Sequence, residues 1–210
     1  MAKDKQDREA VYPSIALRFH AKQIILKKNK FIYMRLFIVL SNGFEDIEAF
    51  TVVDVLRRAG IAIDTVGIPG TMITSKSGIR ITTDKKFSEI NVDEYDGIVL
   101  PGGEENVKNL SNHLPLLSAL ERFNTKGKLI AAVCAAPTIL AKLGMLKDKK
   151  ATVYPGLEKV LSYPRPEKVV VDGNIITSQG PGTALEFALK IVEVLLGQNK
   201  ALLLRKSLVA

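Results

Sequence analysis

Cysteine is nearly absent from this chain: among 210 residues there is one, Cys134. A lone cysteine cannot close an internal disulfide, so the protein is no disulfide scaffold, and a reducing, cytoplasmic setting is expected. Histidine is almost as scarce, with only His20 and His113. There is no His/Cys cluster at metal-ligand spacing and no Walker A motif, so neither a metal nor an organic cofactor is signalled. No uninterrupted apolar run reaches the roughly 18 residues that a membrane-spanning helix needs. Internal repeats and low-complexity linkers are missing too. What is present is the composition of a globular protein: 47% apolar and 25% charged, with nine prolines and fifteen glycines. That excludes an extended disordered chain and a collagen-like repeat. The length suits one full-sized domain better than two.

The formal charge of +8 invites a nucleic-acid partner, but its distribution argues otherwise. Residues 1–33 hold eight Lys/Arg against three Asp/Glu, leaving 22 against 19 from Met34 onward. The body is therefore close to balanced and shows no dense basic stripe of the kind nucleic-acid binding requires. Residues 1–33 read as a basic N-terminal extension. They lack the apolar core and small-residue cleavage site of a signal peptide, and Asp4, Asp7 and Glu9 are out of place in a mitochondrial presequence. Met34 opens a strongly apolar stretch, so a mispredicted start is the preferred reading and a functional basic arm the other. Residues 34–210 are expected to form a single domain.

Beyond Met34, short apolar runs alternate with amphipathic stretches, the pattern of a parallel sheet covered by helices. Arg35–Leu40 reads as a strand buried on both faces. Asn42 with Glu45 resembles a capping box for a helix reaching about Arg58, ended by Gly60. Ile61–Val66 is the next strand, followed by a hairpin-like excursion over Thr74–Thr83. Gly97–Leu100 and Lys128–Val133 are further buried strands, with a helix at Leu114–Asn124 between them and another from Pro137 to Leu143. Val169–Val171 and Ile175–Thr177 flank Asp172-Gly173-Asn174, a short hairpin signal. Thr183–Leu196 is a closing helix stopped by Gly197.

Three loops leave the carboxyl ends of these strands: Ser41–Phe44, Pro101–Glu104 and Cys134–Ala136. In an open α/β sheet that edge is where ligands bind, because helix N-termini and free backbone N–H groups gather there. Cys134 joins a buried strand to a helix, as in a nucleophile elbow, and its neighbours Ala131, Ala132, Ala135 and Ala136 are small enough for so tight a turn. A helix N-terminus also favours a thiolate with a lowered pKa. On position alone, a buried and inert cysteine fits equally well. Glu48 shares a helix stripe with Val52, Val55 and Ala59, which sets a carboxyl among apolar residues. Such a carboxyl has a raised pKa and, kept protonated, donates a hydrogen bond to a thiolate; the alternative is a solvated glutamate. No histidine follows Cys134, and His113 reads as a surface residue, so a Cys–His–acid triad has no clear base.

These blocks resemble the DJ-1/PfpI superfamily, in particular its DJ-1/ThiJ-like branch. The resemblance runs in order through Gly43–Glu48, Val53–Gly60, Val99–Gly103, Ile130–Thr138 and Thr177–Thr183, leading into Glu186–Leu189. It implies a flavodoxin-like α/β sandwich with a mostly parallel central sheet and helices on both faces. It also implies a homodimer with the first helix at its interface. Cys134 takes the place of the family's reactive cysteine and Glu48 that of the carboxylate holding it. Gly103 and Ala135 match the positions whose amides face the reacting oxygen. Ala135 stands where PfpI-type members carry a histidine, which argues against that branch. Tyr154, before Pro155, stands where the DJ-1 pattern has a histidine; a phenol with a pKa near about 10 cannot act as that base, though it can donate a hydrogen bond.

The chemistry implied is a cofactor-independent reaction on small dicarbonyls (glyoxalase III-like) or on early glycation adducts (deglycase-like). The other function class is an oxidative-stress sensor or holdase chaperone that uses an oxidisable, low-pKa Cys134.

Overall fold

The computed structural model describes residues 34–210. The basic stretch 1–33, with His20 and the question of the start, lies outside the described residues.

Leu36, Ile38 and Leu40 of β1 (Arg35–Leu40) pack into one apolar cluster, and Phe37 and Val39 into a second. This is the period-two alternation of a strand whose two faces are both covered, so every side chain after Arg35 is apolar. β1 lies inside a seven-stranded sheet. On one side it pairs in parallel with β2 (Ala62–Gly67), which pairs in turn with β5 (Lys85–Lys86) at the edge. On the other side come β6 (Gly97–Leu100), β7 (Leu129–Val133) and β11 (Ile175–Ser178), all parallel. The far edge is β10 (Val169–Asp172), antiparallel to β11 through the expected Asp172–Asn174 turn. Outside this sheet, β3 (Met72–Thr74) and β4 (Arg80–Thr82) form the hairpin read from the sequence. β8 (Lys150–Ala151) and β9 (Tyr163–Pro164) form a small separate pair.

Helices cover both faces. Helix α1 (Asp46–Ala59), α5 (Ala184–Leu196) and α6 (Gln198–Ser207) pack Val52, Leu56, Phe187, Ile191 and Leu204 against the first cluster. Helix α2 (Glu104–Ser111), α3 (Leu114–Thr125) and α4 (Pro137–Lys142) supply Leu110, Leu120, Phe123 and Ile139 to the second. The result is the flavodoxin-like sandwich, a mostly parallel sheet between two helical layers. Among the described residues no helix is long and apolar enough to cross a membrane.

Two readings change. Asn42 does not cap α1: Glu45 occupies the N-cap, with no side-chain cap bond, and the Asn42 Oδ1 accepts the Thr74 N–H at 2.9 Å. The turn through Gly43 (φ 77°) intervenes, so Asn42 lies too far ahead of the helix and fastens the β3–β4 hairpin instead. His113 is not a plain surface residue either. Half-buried, it caps α3 by accepting the Leu116 N–H (3.2 Å) and stacks edge-on against Phe87. Gly60 does end α1, in the left-handed conformation (φ 86°) that favours glycine.

Phe37 is fully buried, with ring centroids of Tyr95 and Phe123 at 4.8 and 5.9 Å. Truncation there removes one face of the aromatic cluster and leaves a cavity that the sheet cannot close. Phe37→Ala is expected to cost about 3–5 kcal/mol, read as a lowered urea midpoint with an unchanged m-value.

Candidate active site

β1 has its next strand in the chain, β2, on one side, whereas β6, β7 and β11 lie on the other. The winding direction therefore reverses between β1 and β6, and a crevice opens beyond their carboxyl ends. Ser41–Phe44 and Pro101–Gly103 form its walls, with Cys134 one strand further along at the end of β7.

Cys134 has φ 64°, in the left-handed region that non-glycine residues avoid. Such a conformation costs about 1–3 kcal/mol and persists only where its surroundings hold it. Here the Cys134 N–H donates to the Ser178 carbonyl of β11 (3.0 Å), and its carbonyl accepts the Tyr154 N–H (2.8 Å). Both peptide groups flanking the strained residue are thus tied to other segments. The elbow expected from the small-residue run is present, and Cys134 at its tip is half-buried.

Glu48 is fully buried, on the stripe with Val52, Val55 and Ala59. Its Oε2 accepts the Gly102 N–H at 2.6 Å, and its Oε1 has no hydrogen-bond partner among the described residues. A Cβ built on Gly102 would stand 2.7 Å from Glu48 Oε2 and 2.9 Å from Cys134 Sγ. Carboxyl and thiol therefore converge on one point, and only glycine leaves room between them. Burial raises the Glu48 pKa to about 7 against the pull of the Gly102 N–H and the Cys134 thiol. A carboxyl that shares its proton at neutral pH follows directly.

The lowered thiol pKa expected at the helix N-terminus is corrected by the structure. Burial, and then the charge of ionised Glu48, push the Cys134 thiol up to about 12, although the Ala135 and Gly103 amides pull it down. Desolvation of the anion outweighs two backbone donors while Glu48 is charged. Once Glu48 holds the proton, its repulsion is gone and the same two amides remain to stabilise sulfur. The two groups act on each other and titrate as a coupled pair.

The backbone N–H groups of Gly103 and Ala135 lie near enough to Cys134 to pull its thiol pKa down. Gly103 has φ 93°, and a Cβ there would lie 2.0 Å from the Gly43 carbonyl oxygen, so the approach of the two loops requires glycine. Tyr154 borders the same cleft of about 600 Å³, together with Cys134, Gly103, Ala135, Lys76 and Glu45. Tyr154 is 48% exposed. His113 does not line this cleft.

Sequence reasoning missed Lys76, which reaches the mouth from the β3–β4 loop and pairs with Glu45 at 3.4 Å. It also missed Gly102 and the buried Asn106 of α2. Asn106 lies one turn before Leu110 on the buried face of that helix, and a polar residue there was the available signal. Among the described residues no group of three or more His, Cys, Asp or Glu gathers as metal ligands would.

An open α/β sheet with a strained cysteine at its switch point, faced by a buried carboxyl and two backbone amides, defines a class of cysteine-centred proteins. The family model described as the DJ-1/PfpI family matches residues 34–194, and the chain belongs to that family. It is 40% identical over 168 residues to Drosophila melanogaster protein dj-1beta, covering 78% of this chain and 90% of that one. The crystal structure of Drosophila melanogaster DJ-1beta superposes with a TM-score of 0.81 at 38% identity, over 85% of this chain and 99% of the other. Oxidized Toxoplasma gondii DJ-1 also gives 0.81, at 31% identity, over 84% and 98%.

Glu48 makes stability depend on pH. Its folded pKa lies above the ordinary 4.5, at about 7, so the folded state binds the proton more tightly. Its contribution is fully present below about pH 4.5 and is lost as pH rises through about 7; the size is about 3 kcal/mol at 1.36 kcal/mol per unit. Urea unfolding at pH 5 and pH 8 should show most of this loss in the parent and little in Glu48→Gln.

Proposed function

We propose that the protein disposes of small reactive dicarbonyls or their early adducts with amines, with Cys134 as nucleophile and no cofactor. The observation that carries this reading is the buried, proton-sharing Glu48 beside a strained, half-buried cysteine. Family membership supports a DJ-1-like role in general, and the geometry supplies the steps.

The Cys134 sulfur adds to the aldehyde carbon of methylglyoxal while Glu48 takes the thiol proton. This gives a hemithioacetal whose developing oxyanion faces the Gly103 and Ala135 amides. Glu48 passes the thiol proton to that oxygen and, again a carboxylate, moves the proton of the former aldehyde carbon to the neighbouring carbon, while the hydroxyl proton passes to the neighbouring oxygen. The first carbon is oxidised to a thioester and the second reduced to an alcohol, so no external oxidant is consumed. Water cleaves the thioester, releasing lactate and restoring the thiol. In a glycated amine the same sulfur attacks the hemiaminal carbon and the amine departs. Tyr154 forms a wall and offers a hydrogen bond; it is not the base. The single cysteine suits a reducing compartment, and the cytoplasm is the proposed setting.

Cys134→Ser is expected to abolish methylglyoxal consumption by purified protein in amine-free buffer, and retained turnover overturns the reading. Glu48→Gln should lose about 10²–10⁴-fold in kcat. In the parent, kcat/KM should rise with pH through about 7 as the pair loses its first proton. That rise should be missing from the residual activity of the glutamine variant.

A second reading, redox sensing, is favoured by the unpartnered Glu48 Oε1 beside the thiol. A protonated carboxyl there would donate to one oxygen of a cysteine sulfinate, reached with two equivalents of peroxide. The solved Toxoplasma gondii relative is described as oxidized. Mass spectrometry after mild peroxide should then show two oxygens gained at Cys134 alone; an inert thiol opposes the reading.

We also propose a homodimer through α1. Ile47 and Phe50 on its outer side are exposed at 55% and 38%, and Ile79 of the adjoining hairpin loop at 51%. Light scattering should report twice the chain mass for the parent and one chain for Ile47→Glu.

A further inference from the structure

Asn106 is 0% exposed, and among the described residues its side-chain hydrogen bonds all go to the two loops that wall the crevice. Its Oδ1 accepts the Ser41 N–H at 2.8 Å. Its Nδ2 donates to the carbonyl oxygens of Pro101 (2.9 Å) and Gly102 (3.1 Å). The amide orientation is fixed by these partners, because the reverse would set its oxygen against two carbonyls and its NH2 against an N–H.

The consequence follows from peptide geometry. In a trans peptide the C=O and the following N–H point in opposite directions. The Pro101 carbonyl is drawn to Asn106, so the Gly102 N–H projects the other way, where it meets Glu48 Oε2 at 2.6 Å. The Gly102 carbonyl is likewise drawn to Asn106, assisted by the Glu45 N–H at 3.2 Å, and the Gly103 N–H projects toward the Cys134 sulfur. One side-chain NH2 group therefore orients two successive peptide planes. A glycine-rich loop has no side-chain packing of its own to resist a peptide flip.

We propose that Asn106 is a positioning residue that sets the polarity of the Pro101–Gly103 loop, holding the Gly102 N–H on Glu48 and the Gly103 N–H on Cys134. It touches neither substrate nor sulfur and acts through the two amides. The proposal rests on the proposed function only for the turnover part of its test.

The test uses the full chain with Asn106→Asp and Asn106→Ala, and Asn109→Ala for comparison. Asn109 donates to the Ser41 side chain at 3.1 Å and touches neither loop carbonyl. The first readout is the rate of Cys134 alkylation by iodoacetamide against pH. The aspartate variant sets carboxylate oxygen against two carbonyls, so its alkylation midpoint should move to higher pH and its rate at pH 7 fall at least about tenfold, since each lost oxyanion donor is worth about 10²–10³. kcat for methylglyoxal should fall by a similar factor, with KM changed by less than about threefold. The alanine variant should shift in the same direction, and Asn109→Ala should leave the midpoint in place. Folded Asn106 variants with the parent's alkylation profile overturn the proposal. Should neither variant fold, NMR of the parent decides. Asn106 side-chain amide protons protected from exchange, with a Gly103 amide signal that moves on Cys134 alkylation, support it; solvent-like exchange or an unmoved Gly103 signal sinks it. If the parent turns over no dicarbonyl but the alkylation shifts appear, the function fails and this inference stands.

Discussion

A carboxyl without charge compensation in a protein core is costly, and this site is organised around one. Among the described residues Glu48 is held by the Gly102 N–H and the neighbouring Cys134 thiol, with no ion pair of its own. Lys76 reaches the mouth, but it is exposed and paired with Glu45. With so little to hold a negative charge, the carboxyl keeps its proton to about neutrality. A side chain that is acid and base at the same pH is what a thiol addition followed by a proton shift requires. The apolar stripe of α1 that makes Glu48 costly is thus also what makes it useful.

The other constraint is the backbone at Cys134. A left-handed cysteine is unfavourable by itself, and its N–H and C=O are fastened to β11 and to the Tyr154 segment. Those anchors belong to the covered sheet, whose two apolar clusters supply the stability against which this local cost is set. Gly102 and Gly103 complete the arrangement by omission. A side chain at either would overlap Cys134, Glu48 or the Gly43 carbonyl. The site is therefore built as much from missing Cβ atoms as from side chains.

Much of this was readable in the residues because buried strands and amphipathic helices differ in period. β1 and β6 were found at their observed bounds, and the α1 stripe marked Glu48 as buried. What escaped notice was short or depended on distant contacts. Helix α2 has only eight residues, too few for a periodic pattern to stand out beside Pro101-Gly102-Gly103. α6 follows Gly197, whose stop signal hid the helix beyond it. Asn42 carries the residue type of a cap, yet its partner, Thr74, arrives from another element. The thiol's pKa failed for a similar reason: the helix N-terminus is visible in sequence, whereas desolvation and the charge of Glu48 exist only after folding.

The raised thiol does not count against a reactive cysteine once protons are assigned to the pair. Carboxylate with thiol, and carboxylic acid with thiolate, contain the same number of protons and interconvert by one transfer within the site. Solution pH selects the proton count and not the tautomer, so a thiol that resists ionisation toward water can still lose its proton to Glu48 as the new bond forms. In the proposed reaction the incoming carbonyl takes the negative charge from sulfur to an oxygen facing the Gly103 and Ala135 amides. A permanent thiolate would be consumed by any passing oxidant. A proton-sharing pair would keep sulfur quiescent until an electrophile enters the cleft, and on that ground we propose catalysis ahead of redox sensing.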